Sequence, residues 1–375
     1  MRKNVPNNIF EKLEFGVIGL GDSSYEKFNF TAKKLYKRLL QLGAKALLDV
    51  CLCDEQQREG IEGAYSNWIT KFWPYFVEND NNEVSSILKY KITNTDETLV
   101  LENNFQRDEV ATESKPFYAK VIKNERVTNE QHFQNVRLIE FDCKNTNCMI
   151  YEAGDVLALR PSNLKHNVEK FLQVFEHLNL NLNQKIRIYP NYENEFEIDT
   201  NLNQIVTIKD LIEKYFDLNS IPRMSFFEQF GNIATDELEK EKLKEFMTPE
   251  GLEELYNYCY RPRRTMIEIF YDFPKTSKDI KSLEILIDLI PSIKPRSFSI
   301  ASSPYVHKDK IQLLVAVVEY KTRLYETRKG TCSYWLSTLS PDQDLKIPVW
   351  IRKGSFKIDW SKPLICIGPG TGITF

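Results

Sequence analysis

Between Phe15 and Phe76 the sequence alternates short apolar runs with stretches of helical spacing, and this alternation restricts the amino-terminal region to a parallel α/β unit. The first run, Phe15 to Ile18 in FGVIGLGDSSYEKFN, ends in two glycines and a Ser/Asp cluster. It reads as a buried parallel strand feeding a loop at its carboxyl end, the edge at which open α/β sheets bind ligands. TAKKLYKRLLQLGA follows, with Leu35, Leu39, Leu40 and Leu42 in helical spacing and Gly43 as the stop. ALLDVCLCD (Ala46 to Asp54) predicts a second strand, and YSNWITKFWPYF a second helix. Two strands leave sheet edges exposed and a core unclosed. The unit is therefore expected either to dimerise or to be the carboxyl half of a larger domain, and not to fold stably alone.

Charge and cysteine usage exclude several classes of function. Lys+Arg 50 against Asp+Glu 53, a formal net charge of -3, offers no electrostatic footprint for nucleic acid. No apolar run reaches the length of a membrane span, and the first residues lack a signal-peptide core, so the expected compartment is the cytoplasm. Seven cysteines and four histidines at irregular spacing suit neither a disulfide framework nor a metal site. The close pairs Cys51/Cys53 and Cys143/Cys148 read as small apolar or surface thiols.

Further along, the period changes. Residues 78–114 are polar and read as a linker, partly disordered. FYAKVIKNERVT, NVRLIEFDC and DVLALRPSN then alternate at strand spacing, which suggests an antiparallel barrel. From about 166 to 262 the pattern is helical, with Thr248 as a cap and Pro249 in the first helical position before Glu250. Strands resume at SFSIASS, KIQLLVAVVEYKT and DLKIPVWIRKG. With 42% hydrophobic residues in 375, the chain can bury two or three cores.

Three glycine- or arginine-bearing stretches carry candidate chemistry. PLICIGPGTGITF predicts a strand followed by a phosphate-cradling turn, although a plain tight turn accounts for it equally when taken alone. In KPRSFSIASSP an Arg, an aromatic and a Ser share one strand. Taken alone they read as surface and half-core; together they supply a cation for a pyrophosphate, a ring for an isoalloxazine and a hydroxyl for a flavin nitrogen. KGTCSYW adds a second glycine turn with small polar donors.

GLGDSSYEKFN, RPRRT, PRSFSIASS, GTCS and GPGTG occur in the order found in the diflavin reductases, which join a flavodoxin to a ferredoxin-NADP reductase, and nearly the whole chain resembles that family. The resemblance is strongest to the member that serves cytosolic iron–sulfur protein assembly. It implies a multi-domain α/β and β chain: a partial flavodoxin-like FMN unit over 1–77, a linker over 78–114, and an antiparallel β-barrel FAD domain over 115–358. An α-helical insert interrupts the barrel, and the beginning of an NADPH-binding α/β domain occupies 359–375.

Carried over by motif, the FMN loop falls on Leu20, Gly21, Asp22, Ser23, Ser24, Tyr25, Glu26, Lys27, Phe28 and Asn29, with Tyr25 as the stacking ring. Glu55 matches either a further FMN contact or a solvated loop acid. The FAD site falls on Arg263 or Arg264, then Arg296, Ser297, Phe298 and Ser299, then Gly330, Thr331, Cys332 and Ser333. Gly368, Gly370, Thr371 and Gly372 match the start of the NADPH phosphate site, and Ser299 is the residue implied to assist hydride transfer. Phe298 stands where many relatives carry Tyr. The family's FMN phosphate loop and the rest of its nicotinamide domain have no counterpart in this sequence, so the chain alone is expected not to turn over as a complete reductase. The resemblance implies electron flow from NADPH to FAD to FMN to an anamorsin-type iron–sulfur protein. Alternatives are a sibling that serves cytochrome P450 or methionine synthase, or a non-catalytic FAD-binding module.

Overall fold

A computed structural model describes residues 6–57, 60–76, 88–97, 105, 109–144, 149–191, 205–248, 250–324, 326–354, 361–363, 365 and 367–374. The chain divides into two compact units, residues 1–87 with 221–264 and residues 88–220 with 265–375. No helix among the described residues is long and apolar enough to cross a membrane.

In the first unit, β1 (Glu14–Phe15), β2 (Ile18–Gly21), β3 (Lys45–Ala46) and β4 (Cys51–Asp54) form two short parallel ladders, β1 with β3 and β2 with β4. The strand expected over Ala46 to Asp54 is thus broken in two. The amide of Leu47 donates to Phe15 and that of Cys51 to Val17, both at 2.9 Å, and between the pairs Phe15–Ala46 and Ile18–Cys51 residues 47–50 stand against Gly16 and Val17. The indole of Trp68 donates to the Asp49 carbonyl at 2.7 Å and fixes this bulge. Gly16 has no choice of side chain: an added Cβ would lie 2.5 Å from Phe72 and 2.6 Å from Trp68, whose rings stack at 4.4 Å. Helices Phe30–Gln41 and Gly60–Phe72 follow, the first ended by Gly43 at φ 87°, a left-handed position that glycine adopts without cost. Phe15, Val17 and Ala44 make the small core under Tyr36 and Leu39.

The same unit contains helices Met224–Ile233 and Glu237–Glu245, built on buried Phe226, Phe227, Phe230 and Phe246. Thr248 does not cap the helix as expected: its hydroxyl accepts from the Gly251 amide at 3.1 Å in the turn before it, and Gly251 is the N-cap, with no side-chain cap bond. The helix itself begins at Leu252, and Pro249 lies outside the described residues.

The second unit carries β5 (Tyr90–Asn94), β6 (Phe117–Arg126), β7 (Val136–Asp142), β8 (Val156–Leu159), β9 (Lys185–Pro190), β10 (Val206–Thr207), β11 (Arg296–Ser299), β12 (Lys310–Ala316), β13 (Glu319–Tyr320), β14 (Arg328–Lys329) and β15 (Lys346–Arg352). Six of them form one antiparallel sheet in the order β11-β8-β15-β6-β7-β12. This corrects the expected barrel: the ladder is open, with β11 and β12 as its edges. β11 is four residues long and runs into a bend, so the edges meet at one bridge, Ile300 with Leu313. Leu157, Leu159, Phe141, Leu313 and Val349 form its core, into which helix Thr331–Thr338 inserts Trp335 and Leu336.

Two regions differ from the sequence expectation. Tyr90–Asn94, within the stretch read as linker, is a strand in the sheet β10-β9-β5, and the helical stretch 166–262 also contributes β9 and β10. The remainder of 78–114 lies partly outside the described residues. Near the carboxyl end, no ladder partner exists among the described residues for the expected strand in PLICIGPG. Ile365 and Ile367 are 91% and 88% exposed, Leu364 and Cys366 lie outside the described residues, and Gly370–Thr374 forms a 3-10 turn.

Candidate functional site

In the first unit the loop after β2 is built around two side chains. Asn29 stands in the left-handed region at φ 50°, begins helix Phe30–Gln41, and donates through Nδ2 to the Cys53 carbonyl at 3.0 Å. Its Oδ1 lies 2.7 Å from where a Cβ on Gly19 would be and 2.8 Å from that on Gly21, so both glycines make room for this side chain. Buried Asp54 accepts from the amides of Ser23 at 2.9 Å and Gln56 at 3.0 Å. Burial opposes its ionisation, but the Ser23 and Gln56 hydrogen bonds outweigh that and hold its carboxyl below the usual range. Asp22 is lowered likewise, by the hydroxyl and amide of Ser24.

Leu20, Gly21, Asp22, Tyr25, Lys27, Phe28 and Asn29 border a cleft of about 460 Å³, whereas Ser23, Ser24 and Glu26 do not line it. Tyr25 is 71% exposed, a ring held beside the cleft without packing of its own. Ser24, Glu26 and Lys27 are exposed, and Lys33 ties down the loop's end by donating to the Phe28 carbonyl at 3.0 Å. The structure also brings Glu55 to this loop, its amide donating to Gly21 at 2.8 Å while its side chain is exposed.

The second unit places the other motif residues on β11 and on helix Thr331–Thr338. Arg296 and Phe298 share one face of β11, and Ser297 and Ser299 the other, because the pairing with β8 is unbroken from Arg296–Leu159 to Ser299–Val156. Arg296 is exposed and its guanidinium donates to the Lys294 carbonyl at 2.6 Å. Phe298 is half-buried against the sheet core. Gly330 begins the helix: its amide donates to Val318 at 2.8 Å, and a Cβ there would meet Ser333 Oγ at 2.6 Å and Val318 at 2.8 Å. Ser333 Oγ in turn accepts from the Val318 amide at 3.0 Å, which locks the turn to the strand. Thr331, Cys332 and Ser333 carry the first amides of this helix, the end that favours an anion.

Arg296 also bears on two acids nearby. Burial pushes the Asp217 carboxyl up, opposed by Arg296, and burial pushes the Cys332 thiol up to about 12, again opposed by Arg296. Upstream of Gly330, Arg328 makes a paired salt bridge with Glu268, both bonds 2.8 Å. The same carboxylate caps helix Met266–Asp272 through the amide and hydroxyl of Thr265. A cavity of about 410 Å³ beside helix Thr331–Thr338, lined by Tyr118, Arg160, Leu211 and Trp335, includes none of the predicted site residues.

Arg263 and Arg264 belong to the first unit and are distinguished there. Arg264 donates through Nε to the Tyr258 carbonyl at 3.0 Å and lies 4.4 Å above the Tyr258 ring. Arg263 is exposed and in the left-handed region at φ 55°, a strained position for a residue with a Cβ. Gly368 is exposed, and Gly370, Thr371 and Gly372 lie in the 3-10 turn. Sequence reasoning missed two residues near Gly330. Tyr320, paired with Arg328 across β13 and β14, exposes 42% of its surface, and Asn219 donates to Thr331. The signal for Tyr320 was an aromatic closing an alternating strand run; nothing in the sequence marks Asn219.

Comparison with known proteins agrees with this layout. The profile of the FAD binding domain matches residues 110–335, more than half of the chain, and that of flavodoxin matches residues 2–68. The chain is similar to proteins named NADPH-dependent diflavin oxidoreductase 1: 41% identical over 398 residues in Danio rerio, 42% over 391 in Mus musculus and 36% over 403 in Arabidopsis thaliana. Each alignment covers 99% of this chain and 64% of the relative, so the chain spans somewhat less than two thirds of their length.

Proposed function

The chain belongs to the FAD binding domain family, and from that premise we propose that it is the FAD-holding and partial FMN-holding portion of an NADPH-dependent diflavin oxidoreductase. The observation that carries this reading is the turn at Gly330. Ser333 and Val318 close on Gly330 there, and the turn opens the helix whose first amides have no hydrogen-bond partner among the described residues.

A bound flavin accepts two electrons from a nicotinamide and releases them singly, the conversion required between NADPH and an iron–sulfur acceptor. The residues of this chain hold and orient it. Thr331, Cys332 and Ser333 offer backbone N–H groups, and Arg296 a charge, to the FAD pyrophosphate. Phe298, on the face of β11 that carries Arg296, would lie against the isoalloxazine, while Ser299, the residue expected at the hydride-accepting edge, stands on the opposite face of the strand. Tyr320 presents a ring for the adenine. In the first unit, Tyr25 stacks the FMN ring while the Asp22–Phe28 loop borders it, with Glu55 at its margin. Gly368, Gly370, Thr371 and Gly372 contribute to the NADPH phosphate site.

The acceptor in this reading is an anamorsin-type iron–sulfur protein of the cytoplasm, docked transiently and by charge. The test is to purify the chain, denature it and quantify released FAD and FMN against protein. Near-stoichiometric FAD with less FMN supports the reading. Absence of FAD after reconstitution sinks it, and reduction of an anamorsin-type partner by the full-length protein tests the acceptor.

A further inference from the structure

We propose that Asn219 is a positioning residue that fixes the polarity of the Thr331 hydroxyl, forcing its proton toward the anion bound at the Gly330 turn; this rests on the reading of that turn as the FAD pyrophosphate site. A chain of side-chain hydrogen bonds carries the argument. Asn167, buried in helix Lys165–Val174, donates through Nδ2 to Asn219 Oδ1 at 2.7 Å. Asn219 then donates through Nδ2 to Thr331 Oγ1 at 3.2 Å.

The direction of the chain matters more than its length. A carboxamide has one accepting and one donating end, and Asn167 occupies the accepting end of Asn219. Only the donating end is left for Thr331. A threonine hydroxyl that accepts one hydrogen bond still carries its own proton, and no acceptor for that proton is found among the described residues. Thr331 is the first residue of its helix, where the backbone N–H groups already favour negative charge. Asn219 thus makes the hydroxyl one more donor in a set of donors, and the bonds polarise one another in a partly desolvated site. Reversing the relay would turn Thr331 inward as a donor and present lone pairs to the phosphate.

The balance of charge around Asn219 agrees with this. Asp217 keeps a buried Oδ1 with no hydrogen-bond partner among the described residues, its carboxyl is pushed up by burial, and Arg296 offsets what charge it carries. A neutral amide at 219 orders Thr331 without adding a second carboxylate beside an anion. Aspartate at the same position has nearly the same shape but no donor, so it tests polarity rather than packing.

The experiment uses the full chain, stripped of flavin, and measures its FAD affinity by quenching of flavin fluorescence, with helical content and unfolding midpoint recorded for each variant. Asn219→Ala is expected to weaken FAD roughly tenfold, and Asn219→Asp by a further tenfold or so, because the carboxylate captures the Thr331 proton and repels the phosphate. In a Thr331→Val background the effect of Asn219→Ala should shrink below about twofold, the signature of a residue that acts through another. Should Asn219→Ala fail to fold, Asn219→Ser and Asn219→Asp complete the same cycle. Additive losses in the double variant, or an aspartate variant that binds FAD like the parent, overturn the role of Asn219 while leaving the FAD site standing. A parent chain that binds no FAD overturns both.

Discussion

Asn29 Oδ1 lies 2.7 Å from the point where a β-carbon on Gly19 would stand, so the side chain of one residue occupies the place the other leaves empty. Gly19→Ala must displace Asn29 or Ala32, whose Cβ is only 2.6 Å from the same point. The expected cost is about 1–3 kcal/mol of stability in the first unit, with loss of FMN binding. Urea unfolding followed by the fluorescence of Trp68, beside the bulge, checks the first; FMN titration checks the second.

Glu268 and Arg328 give a pH dependence whose sign is fixed. Burial opposes ionisation of Glu268, but the Arg328 hydrogen bonds and the Thr265 cap outweigh it, leaving the folded pKa below its ordinary value of 4.5. A lowered carboxylate contributes stability above 4.5 that is lost as pH falls through the folded value. Glu268→Gln strands a buried guanidinium and should cost about 3 kcal/mol at neutral pH. FAD retention measured from pH 7 downward should fall in the acid range for the parent and be weak but flatter for the variant.

Arg263 and Arg264 should respond oppositely to substitution. Arg263→Gly removes left-handed strain and should raise stability by about 0.5 kcal/mol. Arg264→Ala loses a backbone bond and a ring contact, and should lower stability by about 1–2 kcal/mol. Thermal unfolding separates the two, and equal behaviour contradicts the assignment.

Tyr25 is ordered by its loop and not by a core, so Tyr25→Ala should leave the unfolding midpoint unchanged. FMN affinity should fall by roughly 3–10-fold, the size of one stacking contact. Flavin fluorescence, quenched by a stacked tyrosine, should rise in the bound variant. A large loss of stability would show that the ring packs rather than waits.

Much of this was legible because glycine and apolar spacing report local geometry. The helix stopped by Gly43 and the antiparallel runs at β6, β7 and β8 follow from patterns a few residues long, whereas the run read as one strand over Phe15 to Ile18 is two, Glu14–Phe15 and Ile18–Gly21, the second taking in the glycines expected in the loop. What was hidden depends on partners distant in sequence. Tyr90–Asn94 is a strand because Lys185–Pro190 pairs with it, and its own residues are nearly as polar as the loop around them. Gly19 looked like part of a turn when its role is to admit Asn29. Spacing alone left Arg263 and Arg264 equal, since neither a backbone dihedral nor the Tyr258 carbonyl is written in RPRRT. Pleating also separates residues that the motif sets side by side: Phe298 and Ser299 lie on opposite faces of β11.

The openness of the six-stranded sheet has one more consequence. β11 spends one side of its backbone on β8, and apart from the neighbourhood of Ile300 its other side pairs with no strand among the described residues. That free margin is a row of amide and carbonyl groups spaced by the chain itself. A flat heterocycle with its own donors and acceptors can be met there by main chain as well as by side chains. A proline on that margin removes an amide and tests the main-chain part separately from any side-chain exchange.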